Sequence, residues 1–194
     1  GNSTSGDVIL HNSTNSYINS SGTFSLKPVG DSFTGPAIVT NLSLNSALSS
    51  FTLGKSSNTA DITSGSAVSI AGPISFYGGD ININANLTTT TTNSGISLIA
   101  SGSITETGSS AITLTTGSDS VTGGNVLLAS DSDNSSNGRI GFYDGFTVNT
   151  HGGNITLGGG NSSGSGYAIG TSSVVHTEGI RFNTALSLNS GGGN

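Results

Sequence analysis

The stretch VTGGNVLLAS (121–130) recurs in altered form as THGGNITLGG (150–159) and, more loosely, as FYGGDININA (76–85). Each copy has two glycines, then Asn or Asp, and then a short aliphatic run. Glycine tolerates positive φ, and an Asn or Asp side chain can bond to neighbouring backbone groups. Each copy therefore has the composition of a corner that turns the chain into a strand. Its recurrence indicates a solenoid, in which each rung is a template for the next.

The repeated glycines and the Asn or Asp after them are predicted to form structural corners between strands. The corner residues are Gly79, Asp80, Gly124, Asn125, Gly153 and Asn154. The aliphatic residues that open the matching strands are Ile81, Ile96, Val126 and Ile155. If the copies stack on one another, these aliphatic side chains take related inward positions in successive rungs and form thin apolar layers.

The composition favours strands throughout and gives almost no signal for helix. Gly (31), Ser (37), Thr (25) and Asn (20) dominate the 194 residues, and all four are poor residues for a helix interior. Short pieces such as AVSI (67–70) and AITLTT (111–116) alternate apolar residues with small polar ones and are bounded by turn-forming residues. We therefore predict an all-β fold in which most strands bury one side.

The spacing of the strands predicts a parallel β-helix, a solenoid with three short strands per rung. Ile96, Ile104 and Ile112 recur at an equal, short spacing, and each begins a short strand. Ile96, Val126 and Ile155 follow one another at intervals of about 30 residues, a period within the range of solenoids. We expect the coil to be right-handed.

A second internal match sets the expected length of a rung. ISFYGGD (74–80) and IGFYDGF (140–146) share the pattern Ile-x-Phe-Tyr-x-Gly. The offset between them predicts three turns of about 22 residues each, and hence about nine rungs in the whole chain.

The predicted domain organisation is a single β-solenoid over residues 1–194. Residues 1–60 have the pattern of irregular rungs with a loop at 27–36, and residues 61–194 that of more regular rungs. The main alternative is a β-sandwich, whose short strands have a similar spacing. Sandwich hairpins favour Asn-Gly or Asp-Gly turns, and the sequence has one of each, at Asn137-Gly138 and Asp144-Gly145. This scarcity favours the solenoid.

Four segments carry a resemblance to a known family of repeat proteins. They are GGDININANLTTT (78–90), GISLIASGSIT (95–105), GGNVLLASDSDNSSNGRI (123–140) and TVNTHGGNITLGGG (147–160). They resemble the β-helical shaft of filamentous-haemagglutinin-like bacterial exoproteins and related large adhesins. The resemblance covers about residues 65–160 and lies in the style of the repeats. It implies a secreted or cell-surface protein that serves adhesion or a biofilm matrix, with this chain as a non-enzymatic shaft segment.

Two other functions fit a β-solenoid. A self-assembling extracellular filament is the closer alternative, because LNSGGGN (188–194) followed by GNSTSGDVIL (1–10) would form another glycine corner and strand, so copies could stack end to end. The other is a polysaccharide-binding or polysaccharide-acting β-helix. Its chemistry needs clustered carboxylates, whereas the ten acidic residues are dispersed and His11, His151 and His176 are isolated. No catalytic residue is therefore assigned, and His151 is interpreted as a turn residue.

The acidic stretch SDSDNSSNGR (130–139) is the candidate calcium site. Oxygen-bearing side chains stand at alternate positions, and Ca²⁺ prefers oxygen ligands. The predicted ligands are Asp131, Asp133, Ser135 and Asn137. The stretch departs from the EF-hand pattern, because Ser136 stands where glycine is needed and no Glu occupies the twelfth position. The alternative is a solvated loop in which Asp and Asn bond turn amides, and no other cofactor is expected.

Two tyrosines are the candidates for contact with host or matrix glycans. Tyr77 and Tyr143 each follow a phenylalanine, so strand alternation predicts an inward Phe and an outward Tyr whose ring can stack on a sugar. Nucleic acid is not expected as a partner, because the net charge is −6 and the four Lys and Arg residues are far apart. Membrane insertion is not expected either, because no apolar run approaches the length of a bilayer span.

Overall fold

The structure, a computed structural model, describes residues 8–10, 16–171 and 177–192. All regular elements within these ranges are β-strands. The twenty strands are β1 (Val8–Leu10), β2 (Ser16–Ile18), β3 (Thr23–Leu26), β4 (Ala37–Val39), β5 (Leu42–Leu44), β6 (Ser50–Leu53), β7 (Ile62–Ser64), β8 (Val68–Ile70), β9 (Ile74–Gly78), β10 (Ile81–Ile83), β11 (Leu87–Thr89), β12 (Ile96–Ala100), β13 (Ile104–Thr105), β14 (Ile112–Thr116), β15 (Val126–Ser130), β16 (Ile140–Phe142), β17 (Phe146–Asn149), β18 (Ile155–Gly159), β19 (Ile180–Phe182) and β20 (Leu186–Asn189).

The strands form three long sheets, which we call faces 1, 2 and 3. Face 1 has the order β1-β4-β7-β10-β13-β16-β19, face 2 the order β8-β11-β14-β17-β20, and face 3 the order β3-β6-β9-β12-β15-β18. A two-stranded sheet pairs β2 with β5, in the first two rungs. Every pairing between strands is parallel and joins strands three apart in the chain. This confirms a parallel β-helix with three short strands per rung, and a sandwich of antiparallel hairpins does not fit it.

Alternation of side chains explains how the sequence forms these strands. In β9, β12 and β14 the first, third and fifth residues are buried and the residues between them are partly exposed. The core consists mainly of Ile, Leu, Val and Phe, of which Ile, Val and Phe favour strands. One hydrophobic cluster extends from Phe33 to Val148, and within it the rings of Phe51 and Phe76 meet edge to face at 5.4 Å. Each rung thus adds one apolar layer to a continuous core.

The rungs differ in length, and the constant period expected from the internal match is wrong. The strands of face 1 begin at Val8, Ala37, Ile62, Ile81, Ile104, Ile140 and Ile180. These starts are unevenly spaced, and the described chain has six rungs of three strands and two strands of a seventh. The distance in sequence between 74–80 and 140–146 is not a whole number of rungs, because Ile74 lies on face 3 and Ile140 on face 1. Only the strands must fit the ladder, and the corners between them accept loops of different lengths.

The two closest copies of the repeated motif stack in register. Ile96 pairs with Val126, and Val126 pairs with Ile155, all on face 3. Ile81 was expected in the same set of positions but lies on face 1, where its strand pairs with β7 and β13. The corners before Val126 and Ile155 lead from face 2 to face 3, whereas the corner before Ile81 leads from face 3 to face 1. A similar Gly-Gly corner therefore serves two different turns of the rung.

Candidate functional site

The corner glycines allow successive rungs to lie close together. A Cβ atom added to Gly153 would lie 2.2 Å from the carbonyl oxygen of Gly124 in the preceding rung. One added to Gly124 would lie 2.4 Å from the carbonyl carbon of Ser94, and one added to Gly79 would lie 2.3 Å from the carbonyl oxygen of Thr59. These distances are far below van der Waals contact, and the atoms met belong to backbone in a close-packed stack. A side chain at any of these corners would push two rungs apart.

Positive φ, the expected reason for these glycines, is found at neighbouring residues in only one of the three copies. Gly79, Gly124 and Gly153 do not have positive φ, whereas Gly152 (φ 109°) and His151 (φ 46°) do. In the copy at 150–159, Gly152 therefore supplies the backbone conformation of the turn, and Gly153 supplies the space for the neighbouring rung. The two glycines of this copy thus meet different requirements, whereas neither glycine at 78–79 or 123–124 has positive φ.

The polar corner residues bond the backbone of the next rung. Asn125 Oδ1 accepts a hydrogen bond from the backbone N–H of Asn154 at 2.9 Å. Asp80 Oδ1 accepts one from the N–H of Ser103 at 2.7 Å, and Asp61 Oδ1 accepts one from the N–H of Asp80 at 2.8 Å. These bonds satisfy backbone amides at corners, beside the strand ladder. The Asn or Asp of the motif therefore contributes to the stacking of rungs.

The candidate calcium residues lie in a loop that bonds to itself. Asp131 is fully buried, and its Oδ1 accepts hydrogen bonds from Ser135 Oγ at 3.1 Å and from the N–H of Asn137 at 3.3 Å. Asp133 Oδ1 accepts one from the N–H of Ser135 at 3.2 Å. In the described parts of the chain, no group of three or more His, Cys, Asp or Glu side chains is arranged to hold a metal ion. Both aspartates thus stabilise the turn, and calcium binding here stays a prediction.

Tyr77 and Tyr143 do not form one aromatic strip. Tyr77 lies in β9 on face 3, Tyr143 follows β16 of face 1, and both are half-buried. Arg139 donates a hydrogen bond to the Tyr143 hydroxyl, and the guanidinium carbons of Arg139 and Arg181 lie 5.5 Å and 5.9 Å from the Tyr143 ring centre. The Tyr143 ring is therefore engaged by two cations of the same chain. Contact with glycans stays a prediction for each tyrosine separately.

Glu106 is a buried acidic residue whose role between rungs was not predicted from the sequence. Its Oε1 accepts hydrogen bonds from the backbone N–H of Tyr143 and, at 2.6 Å, from that of Asp144 in the next rung. Its Oε2 is buried and has no partner among the described residues. In the sequence Glu106 stands among Thr, Gly and Ser, as a solvated turn residue would. Its partners lie 37 and 38 residues further along the chain, so no local signal points to them.

A polar cleft of about 440 Å³ lies beside the turn that carries His151. It is formed by the loop after β14, by the end of β17 and by the end of β20. Its polar side chains besides His151 are Ser118, Asp119, Ser120, Thr122, Asn149 and Asn189. Segments far apart in the sequence thus meet at one edge of face 2.

The imidazole of His151 has a defined orientation in this cleft. Its Nδ1 lies 2.8 Å from the carbonyl oxygen of Thr116. A carbonyl oxygen only accepts hydrogen bonds, so Nδ1 carries the proton of the neutral ring and Nε2 has the lone pair. Nε2 lies 3.2 Å from Asn149 Nδ2 and 3.6 Å from Asp119 Oδ1. The interpretation of His151 as a turn residue did not include these contacts, because Thr116 lies 35 residues away in the chain.

The other two histidines, His11 and His176, lie outside the described residues. Among the described residues, no helix has the length and apolar character needed to span a bilayer. Comparison of the chain with known protein families, with curated proteins and with solved structures gave no match. The function of the chain is therefore inferred from its residues and their geometry.

Proposed function

We propose that this chain is a structural or adhesive β-solenoid, without enzymatic activity, that forms part of a shaft outside the cell or on its surface. The observation that carries the proposal is the parallel ladder itself, in which successive rungs cover one continuous apolar core. An unpaired end of a parallel ladder is a template for a further rung. The resemblance of residues 65–160 to adhesin shafts supports the adhesive or biofilm-matrix role and the secreted or cell-surface location.

The last strand of face 2 has this open end. Leu186 and Leu188 of β20 pair in register with Phe146 and Val148 of β17. Phe146 and Val148 are 1% and 0% exposed, whereas Leu186 and Leu188 are 44% and 45% exposed. All four occupy equivalent positions in the ladder, but the described residues place no rung over β20. In the part of the chain that the structure describes, the apolar layer of β20 is therefore uncovered.

Among the described residues, the first strand of face 3 likewise has no strand paired on its outer side. Phe24 and Leu26 of β3 pair in register with Phe51 and Leu53 of β6. Phe51 and Leu53 are fully buried, whereas Phe24 and Leu26 are only partly buried, although Phe24 stacks on Phe51 at 5.4 Å. Apolar layers at both ends are what a solenoid needs if more rungs are to stack on it.

Two kinds of continuation would cover these layers. In a shaft, further rungs of a longer polypeptide cover them, and in a filament a second copy of the chain does so. A repeat unit of a self-assembling extracellular filament is therefore the second candidate function, in which the apolar residues of β3 and β20 would pack against those of another copy. A polysaccharide-binding or polysaccharide-acting β-helix is the minor alternative.

Leu188→Lys tests whether the open end mediates association. We expect the wild-type chain to associate end to end with increasing concentration, as measured by sedimentation velocity and electron microscopy. A lysine in the end layer must lose its hydration on stacking, so association should weaken at least tenfold. Ser187→Lys is the matched control, because Ser187 precedes Leu188 in β20 and pairs with half-buried Thr147, so strand alternation directs it to the other side.

The pattern of association separates the two candidates. Long filaments at low concentration would favour the filament, and short rods that associate only at high concentration would favour the shaft segment. Absence of association at every concentration, or equal loss in Leu188→Lys and Ser187→Lys, would contradict the role given to the open end.

Adhesion and enzymatic activity are tested separately with a panel of immobilised host and matrix polysaccharides. Binding without cleavage is the result expected for an adhesive shaft. Absence of binding would restrict the role to a structural one. Cleavage of any polysaccharide would overturn the non-enzymatic role and favour the polysaccharide-acting alternative.

A further inference from the structure

We propose that the cleft around His151 binds a divalent first-row transition metal ion of the Zn²⁺ type. The ligands are His151 Nε2, the carboxylate of Asp119 and the side-chain amide oxygen of Asn149. Imidazole, carboxylate and carbonyl oxygen atoms are established ligands of such ions. The proposal does not depend on the structural role of the chain and differs from the calcium prediction at residues 131–137.

The orientation of His151 is the first support for this site. Metal-binding histidines almost always donate their other ring N–H to a carbonyl or carboxylate, which fixes the tautomer and the direction of the metal-binding nitrogen. His151 has this arrangement, because its Nδ1 lies 2.8 Å from the carbonyl oxygen of Thr116. The side chain of His151 is only 16% exposed, so the ring cannot turn freely. Its Nε2 therefore presents a lone pair near Asp119.

The distance between His151 and Asp119 is the second support. Zn²⁺ binds nitrogen and oxygen ligands at about 2.0–2.2 Å, so two ligands of a tetrahedral site lie about 3.4 Å apart. His151 Nε2 and Asp119 Oδ1 lie 3.6 Å apart. This separation is longer than a good hydrogen bond and close to that of two ligands of one ion. Asp119 extends from an exposed loop, and its carboxylate can adjust by the small remaining distance.

Asn149 supplies the third support, because its side-chain amide has an unsatisfied oxygen. Asn149 Oδ1 is buried and has no partner among the described residues, while Nδ2 lies 3.2 Å from His151 Nε2. The oxygen and nitrogen of an amide are nearly equal in size, so a flip of the amide exchanges their places. On metal binding this flip would give up the hydrogen bond between Nδ2 and Nε2 and would place the amide oxygen where Nδ2 lies now, 3.2 Å from His151 Nε2. With these three ligands, the fourth position of a tetrahedral ion would be left for water from the cleft.

The cleft also provides room and polar partners for the rest of the coordination shell. Its volume of about 440 Å³ holds water molecules as well as an ion. Ser118, Ser120 and Thr122 line it and can bond such water. A histidine that serves only to anchor the turn would need the bond to Thr116 but neither a carboxylate near Nε2 nor an open cleft.

Isothermal titration calorimetry of the purified chain with ZnCl₂ tests the proposal. We expect saturable binding of one ion per chain. His151→Asn should weaken binding at least thirtyfold, and Asp119→Asn at least fivefold. Asparagine suits position 151, because it tolerates the positive φ there and its amide can still donate to Thr116. Asp133→Asn and His176→Asn are the matched controls and should leave the affinity for Zn²⁺ unchanged.

Two outcomes would overturn the site. One is the absence of saturable Zn²⁺ binding up to about 1 mM, the weak end of specific binding. The other is binding that His151→Asn leaves intact. If His151→Asn fails to fold, the imidazole ¹⁵N spectrum of the wild-type chain gives the same decision. Zn²⁺ should then shift the Nε2 signal of His151, and an unshifted signal at saturating Zn²⁺ would contradict the proposal.

Discussion

Gly124→Ala is expected to lower the free energy of unfolding by about 3 kcal/mol or to prevent folding, although it adds only one methyl group. The new Cβ would lie 2.4 Å from the carbonyl carbon of Ser94 and 2.5 Å from the backbone nitrogen of Gly95. Both atoms belong to the corner of the preceding rung, so relief of the clash requires the rungs to separate. Separation would weaken the ladder bonds on both sides of the corner.

Gly30→Ala is the matched control for this prediction. A Cβ at Gly30 has no heavy atom within 4 Å, and its φ is not positive. The free energy of unfolding of Gly30→Ala should therefore stay within about 0.5 kcal/mol of that of the wild type. Urea denaturation of the two variants measures the difference. Equal stability of Gly124→Ala and Gly30→Ala would show that the corners are not in close contact.

Phe76→Ala is expected to lower the free energy of unfolding by about 4 kcal/mol, the second large effect. Phe76 is fully buried, and its register neighbours are Leu53 in one rung and Leu98 in the next. Its ring also meets that of Phe51 edge to face at 5.4 Å. Loss of the ring would leave a cavity between layers, because a ladder held by backbone hydrogen bonds cannot collapse to fill it.

Tyr77→Ala, one residue further on, is the control that tests the direction of the side chains. Tyr77 is half-buried and pairs in register with Ile99, which is also half-buried. Truncation of an outward side chain should lower the free energy of unfolding by about 1 kcal/mol. The midpoints of urea denaturation should therefore separate Phe76→Ala clearly from Tyr77→Ala. A larger loss for Tyr77→Ala would mean that the register of β9 is shifted by one residue.

The sequence was sufficient to predict the strand content, the parallel stacking and the three strands in a rung. The reason is that inward positions must repeat wherever rungs stack, and Ile96, Val126 and Ile155 keep this repeat. The number of rungs could not be predicted, because a corner can carry a short turn or a long loop without changing the ladder. The interval from Ile140 to Ile180 is more than twice that from Ile62 to Ile81, although both pairs mark successive starts on face 1.

The corners could be predicted in part from the sequence, whereas the cleft could not be predicted. The glycines at 124 and 153 were found by their repetition, but their physical role was not, because close approach between rungs depends on the neighbouring backbone. Glu106 and the pair of His151 and Asp119 had no local signal. Their contacts join successive rungs across long loops, so only the register of the stack brings them together.

The chain is a stack of parallel rungs, and distances between spin labels test this architecture most directly. The chain has no cysteine, so labels attach only where cysteine is introduced. Ser69, Thr88, Thr115, Asn149 and Asn189 follow one another in register along face 2. Four steps of about 4.8 Å separate Ser69 from Asn189, so labels in Ser69→Cys/Asn189→Cys should lie about 19 Å apart.

A second labelled pair, Ser69→Cys/Thr115→Cys, spans two steps and should lie about 10 Å apart, which is measured by dipolar broadening of the continuous-wave spectrum. Double electron–electron resonance measures the longer pair. A distance of about 19 Å for the longer pair and of about 10 Å for the shorter pair is the result that stacked parallel rungs predict. A distance beyond about 30 Å between labels at 69 and 189, or a shorter distance for that pair than for 69 and 115, would contradict the parallel stack.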